Sequence, residues 1–129
     1  FLMSDGRGGF LGSVGLIFPS RCNSSEAEIG YWITAGQQGK GYATLATRIL
    51  LRFCFDHLHL DRVGIYCSEL NVASKRVIEK VGFHYEGTQR NGIGADSCLA
   101  AQTSRTTVHY ALINTDKVSD LPELSIEWP

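Results

Sequence analysis

The sequence predicts an α/β domain, a mixed sheet flanked by helices in the order β-β-α-β-α-β-β. Strand-like and helix-like segments alternate along the chain with no internal repeat. The segment from Tyr42 to Cys54 repeats apolar residues at helical spacing. Two strand-like runs near the start are separated by a short polar stretch, as in a hairpin.

Each element follows from its residues. Phe10 to Phe18, "FLGSVGLIF", reads as a strand softened by glycines, and "PSRCNSSEA" turns it toward "EIGYWIT", Glu28 to Thr34, rich in aromatic and β-branched residues. From Tyr42, the positions Leu45, Ala46, Ile49, Leu50, Phe53 and Cys54 build one apolar helix face, with Arg48 and Arg52 on the other side. "DHLHLD" breaks that period, and "RVGIYCS", Arg62 to Ser68, is a short β-rich run. Asn71 caps a helix "VASKRVIEKV", which Gly82 stops and over which Phe83 folds back. Strand-like "FHYEGTQR" and "TTVHYALI" follow, separated by a small-residue loop.

The 129 residues suffice for one domain with its own core and are too few for two ordinary ones. A net charge of -1 gives no electrostatic footprint for nucleic acid or an anionic membrane. No apolar run approaches the roughly 20 residues of a membrane-spanning helix, and "FLMSDGRGGFLG" lacks the pattern of a signal peptide. Cys22, Cys54, Cys67 and Cys98 show no C-x-x-C pair or zinc spacing, so free thiols in a reducing, cytoplasmic setting are the expectation.

The chemistry concentrates in "QGKGYATLATRILLRFCF", where glycines and a lysine precede an amphipathic helix whose first N–H groups are free to face an anion. It is not a Walker loop, because Lys40 is followed by Gly41 and not by the Ser or Thr that would bind magnesium. As a dinucleotide fingerprint it places Thr44 where Gly or Ala is needed for close packing, and a hairpin precedes it instead of the strand of a parallel unit. Taken alone, Gly36, Gly39 and Gly41 have a plainer alternative reading as a turn and a helix entry.

Gln38-Gly39-Lys40-Gly41-Tyr42-Ala43 matches Q/R-x-x-G-x-G/A, and "NVASKRVIEKVGF" follows about thirty residues later. The pair resembles the GNAT superfamily of acetyl-CoA-dependent N-acetyltransferases. With "AEIGYWI" it is similar to the Rim-type branch, which acetylates the N-terminal alanine or serine of ribosomal proteins. The resemblance runs from about Phe10 to Ile113.

It implies a coenzyme A diphosphate against the N–H groups from Gly39 to Thr44, including those of Lys40, Gly41, Tyr42 and Ala43, with Gln38 holding the turn or a phosphate oxygen. It implies a strand N–H near Ile33 as donor to the thioester carbonyl. Glu28 is the candidate base for the amine, directly or through water, and is otherwise a carboxylate on an exposed strand. Asn71 would position the pantetheine arm. Ser74 matches the branch's serine, which hydrogen-bonds the departing thiolate where many relatives use a tyrosine. Both also read as local helix-capping residues.

The implied acceptor is a primary amine, with a protein N-terminus favoured on resemblance. A small-molecule amine such as a polyamine or an antibiotic is the alternative within the class, and a non-catalytic acyl-CoA-binding module the alternative outside it. Family members carry a strand and one or two helices ahead of the residues present here, so the chain is expected to be N-terminally incomplete. The loop from Asn91 to Ser104 is longer than usual for the branch and lacks the acidic residue expected before the last strand. No metal site is expected: His57 and His59 read as surface residues, Cys67 as a small buried hydrophobe, and Trp128 as packing onto the domain.

Overall fold

The structure of the chain, a computed structural model, describes residues 1–19, 25–92, 104–118 and 121–123. Six strands form one sheet: β1 (Leu2–Ser4), β2 (Phe10–Ile17), β3 (Glu26–Ile33), β4 (Arg62–Ser68), β5 (His84–Gln89) and β6 (Thr107–Ile113). Their spatial order is β1-β2-β3-β4-β6-β5, antiparallel except for the parallel β3–β4 pair. Helix α1 (Tyr42–Arg52) connects that parallel pair, as a crossover must, and α2 (Val72–Val81) follows β4.

The mixed α/β architecture matches the expectation, with one strand more. β1 escapes sequence analysis because three residues are too few to show a period. It is closed onto β2 by a turn in which Asp5 Oδ1 accepts from the N–H groups of Arg7 and Gly9 at 2.8 and 2.9 Å. The first helix also continues into "DHLHLD", where the apolar period breaks, through a π-helical turn at Phe53–His57. This turn seats Cys54 in the core, where burial pushes its thiol up to about 11.

The second helix ends as its residues dictate. Asn71 Oδ1 accepts from Ser74 N–H at 3.1 Å, and Gly82 takes the left-handed conformation (φ 104°) that only glycine adopts freely. Phe83 N–H then reaches the carbonyl of Ile78 at 3.2 Å, and its ring is buried against the core.

The core lies on one sheet face. The register places Ala27 and Ile29 beside Val63 and Ile65 and, across β4, beside Tyr110 and Leu112. Leu50 and Leu51 of α1 and Ile78 and Val81 of α2 cover that face. The opposite face carries the intervening residues Glu26, Glu28, Arg62, Tyr66 and His109, all partly exposed. There Arg62 makes a bidentate pair with Glu86 and a longer contact with Glu26.

Candidate functional site

The site is created where the sheet stops pairing. β3 and β4 are parallel neighbours from Glu26↔Arg62 to Ile29↔Ile65 and then separate. The second half of β3, Gly30 to Ile33, stays paired with β2, and the second half of β4, Tyr66 to Ser68, stays paired with β6. Two strands held on their outer edges and released on their inner ones leave a V-shaped cleft of about 150 Å³. Glu28, Tyr31, Tyr66, Cys67, Asn71 and Ser74 are among the residues that line it.

The released edge exposes hydrogen-bonding backbone. Thr34 N–H bonds to Leu11 O of β2, so alternation along the strand turns the N–H groups of Tyr31 and Ile33 toward β4. Beyond Ile29 there is no β4 residue to receive them. Tyr31 lines the cleft, while Ile33 sits at the strand end beyond the lining residues.

Side chains enter the cleft from both sheet faces. From the helix face, Tyr31 donates its phenol hydrogen to Ser74 Oγ at 2.9 Å. The Asn71 cap on Ser74 N–H fixes the start of α2 there, so Asn71 and Ser74 perform the capping and also line the cleft. Because capping uses Oδ1, the Asn71 amide keeps its Nδ2 hydrogens for another partner. Burial lifts the Tyr31 phenol above its ordinary value, while the bond to Ser74 pulls the other way.

From the other face comes Glu28, two positions along the pleat from Gly30. Partial burial raises its carboxyl above the ordinary value, and the nearby His109 acts in the opposite direction. Tyr66 lies beside it, stacked on His109 at 5.1 Å between ring centroids, and its phenol is raised by burial and then by the Glu28 charge. His109 Nε2 is 2.8 Å from Thr107 Oγ1. Cys67 also lines the cleft, and burial raises its thiol, which fits a small apolar lining residue better than a nucleophile.

The glycine loop leads from the end of β3 into α1. Gly36, Gly39 and Gly41 have φ of 83°, 76° and 83°, so the turn needs glycine on conformational grounds alone. A Cβ at any of the three would meet no protein atom within 4 Å, so the loop's outer side is open. The first ladder bond of α1 runs from Leu45 N–H to Gly41 O at 3.0 Å, no side chain caps the helix, and no acidic residue stands in its first turn. The N–H groups of Tyr42, Ala43 and Thr44 therefore precede the ladder with the positive end of the helix dipole behind them. This is a fit for a diphosphate. Gln38 and Lys40 are exposed, and Lys40 Nζ donates to Gln37 Oε1 at 2.9 Å.

Tyr31, Tyr66 and His109 join the site without having been predicted for it from the sequence. Only Tyr31 carried a signal, as part of "AEIGYWI". No group of three or more His, Cys, Asp and Glu among the described residues is placed to hold a metal ion. Cys22, Cys98, Trp128 and most of the loop from Asn91 to Ser104 lie outside the described residues.

The chain is similar to known proteins in sequence and in fold. YdaF of Bacillus subtilis, provisionally named a ribosomal N-acetyltransferase, is 44% identical over 68 residues, covering 53% of this chain and 37% of that protein. The structure of Mycobacterium smegmatis RimJ in complex with CoA-disulfide superposes with a TM-score of 0.70 at 27% identity, over 82% of this chain and 48% of that one. A Vibrio cholerae spermidine N-acetyltransferase, SpeG, shares the fold with a TM-score of 0.73 at 20% identity, over 88% of this chain and 64% of that one. The chain thus spans between about a third and two thirds of the length of these proteins. The profile described as "Acetyltransferase (GNAT) domain" matches residues 1–84, which contain the separated strands, the glycine loop and the capped second helix, and the chain belongs to that family.

Proposed function

We propose that this chain carries the cofactor-binding and reacting centre of an N-acetyltransferase that moves the acetyl group of acetyl-CoA directly to a primary amine. The observation that supports this best is the cleft between β3 and β4. It passes through the sheet, with Ser74 and Asn71 on one face and Glu28 on the other. A thioester and an amine approaching from opposite faces would meet there without an acyl-enzyme.

The residues divide the work. The amides from Gly39 to Thr44 and the α1 dipole would receive the diphosphate, with Gln38 and Lys40 at the rim. Asn71 Nδ2 would hold an amide of the pantetheine arm. Backbone N–H groups at Tyr31 and Ile33 are the available donors to a carbonyl whose oxygen gains charge during attack. Glu28, its carboxyl raised by burial and so closer to neutrality, would accept the amine's proton, and Ser74 would hydrogen-bond the departing thiolate.

The favoured acceptor is a protein or peptide N-terminal α-amino group. Its reference pKa of about 7.7–8.0 demands little of a single carboxylate, whereas a lysine-like amine near 10.4 demands more. Among the described residues Glu28 is the only carboxylate lining the cleft, which suits one ammonium group better than the several charges of a polyamine. Two relatives above 25% identity, YdaF and a Vibrio cholerae ribosomal-protein-serine acetyltransferase, carry names that refer to ribosomal acceptors. Acetylation assays on a panel of N-terminal peptides beside polyamines and aminoglycosides test this. Peptide turnover above that of every small amine is expected, and preference for a small amine would refute the acceptor assignment.

A further inference from the structure

We infer that Tyr31 is a positioning residue for protonation of the departing thiolate, acting through the hydroxyl of Ser74. The inference rests on the reading of Ser74 given above.

A serine in the first turn of a helix ordinarily turns its hydroxyl onto nearby backbone. Here Ser74 Oγ instead accepts the Tyr31 phenol hydrogen at 2.9 Å, while the Ser74 N–H is held by Asn71 at 3.1 Å. A hydroxyl has one hydrogen and two lone pairs. With one lone pair taken by Tyr31, the hydrogen of Ser74 stays free to be donated, and both residues line the cleft. The separated strands make this contact possible, because Tyr31 is on the part of β3 that has left β4 and its side chain points to the helix face, where α2 begins.

The pair also solves a problem of proton affinity. A serine hydroxyl is far too weak an acid to protonate a thiolate unaided, whereas a phenol near 10 is closer to a thiol near 8.5. As the C–S bond breaks, its electron pair stays on sulfur, which takes the Ser74 hydrogen. Ser74 takes the Tyr31 hydrogen in the same movement, and the phenolate is reprotonated from solvent. The surplus proton of the attacking amine leaves through Glu28, so one proton is gained and one lost per turnover. The phenol is a protonated donor at neutral pH, and its bond to Ser74 opposes the upward push of burial on its pKa.

The test compares the chain with Tyr31→Phe, Ser74→Ala and the double variant, using the peptide acceptor that it turns over best. Tyr31→Phe keeps the ring and should lower kcat about ten-fold or more, within the usual reach of a positioned proton donor, with acetyl-CoA affinity unchanged. The double variant should be no slower than Ser74→Ala, because both remove the same relay. Replacing Tyr31 with a fluorinated tyrosine, a stronger acid, should move the alkaline limb of the kcat profile to lower pH. Unchanged kcat in Tyr31→Phe, multiplying losses in the double variant, or a limb that ignores fluorination would each overturn the inference while leaving acetyl transfer intact. A folded wild-type chain that acetylates no amine would overturn both.

Discussion

The two faces of the cleft are built differently. On the helix face, Ser74 is held from two directions, by Tyr31 and by Asn71, and the helix start that carries it is capped. On the other face, Glu28 has His109 and Tyr66 for neighbours, but its carboxylate makes no hydrogen bond among the described residues. On that face Ile17, paired with Glu28, and Trp32, further along β3, are 57% and 56% exposed. A thioester that must be placed for a single reaction calls for a preorganised wall. An acceptor that differs between relatives calls for a surface that can change. On the proposed reading, the difference teaches that the donor half of the site is set by the local fold and that the acceptor half is left more open to change.

Variants on each face can break or sharpen this contrast. The largest effect is expected on the fixed side: Ser74→Ala should lower kcat about 10²-fold with little change in the KM of either substrate, as measured by steady-state kinetics. A rise in KM alone would mean that Ser74 binds and does not react. Next comes the loop. Gly41→Asp puts a Cβ on a residue at φ 83° and a negative charge at the α1 N-terminus. The strain lowers folding stability, while repulsion of an anion of about 1 kcal/mol should make acetyl-CoA bind roughly five- to ten-fold more weakly, measured by titration of a variant shown to be folded.

The open side should respond through pH. Glu28→Gln should lower kcat/KM roughly ten-fold near neutrality, and the loss should shrink as pH rises above the amine's own pKa, where the free amine needs no base. Stability should move the opposite way. Folding raises the Glu28 pKa, so the folded chain binds that proton more tightly than the unfolded chain, and ionisation costs stability as pH rises through the ordinary carboxylate range to the raised value. Glu28→Gln should therefore raise the Tm slightly at neutral pH and not below pH about 4. The smallest effect is expected at Trp32→Ala, a few-fold change in acceptor KM with acetyl-CoA affinity unchanged. A change in acetyl-CoA affinity there would dissolve the distinction between the faces.

How much of this was legible follows the same division. The glycine loop, the Asn71 cap and the Gly82 stop are local, and each shows in a few adjacent residues whose chemistry allows little else. Glu28 and Ser74 were legible through motifs. The cleft was not, because it depends on β3 and β4 parting after Ile29, and nothing in "EIGYWI" or "RVGIYCS" marks where pairing ends. Tyr31 meets Ser74 across 43 residues of chain, and Tyr66 meets His109 across two strands paired only in the fold. β1 was invisible for a simpler reason, being only three residues long.

The most direct measurement is a calorimetric titration of acetyl-CoA into the folded 129-residue chain. If the donor half is complete in these residues, binding will saturate at one site per chain with no amine present, and Gly41→Asp will weaken it. A folded chain that releases no heat and shows no saturable binding would contradict that claim, and with it the assignment of the loop and cleft as a coenzyme A site.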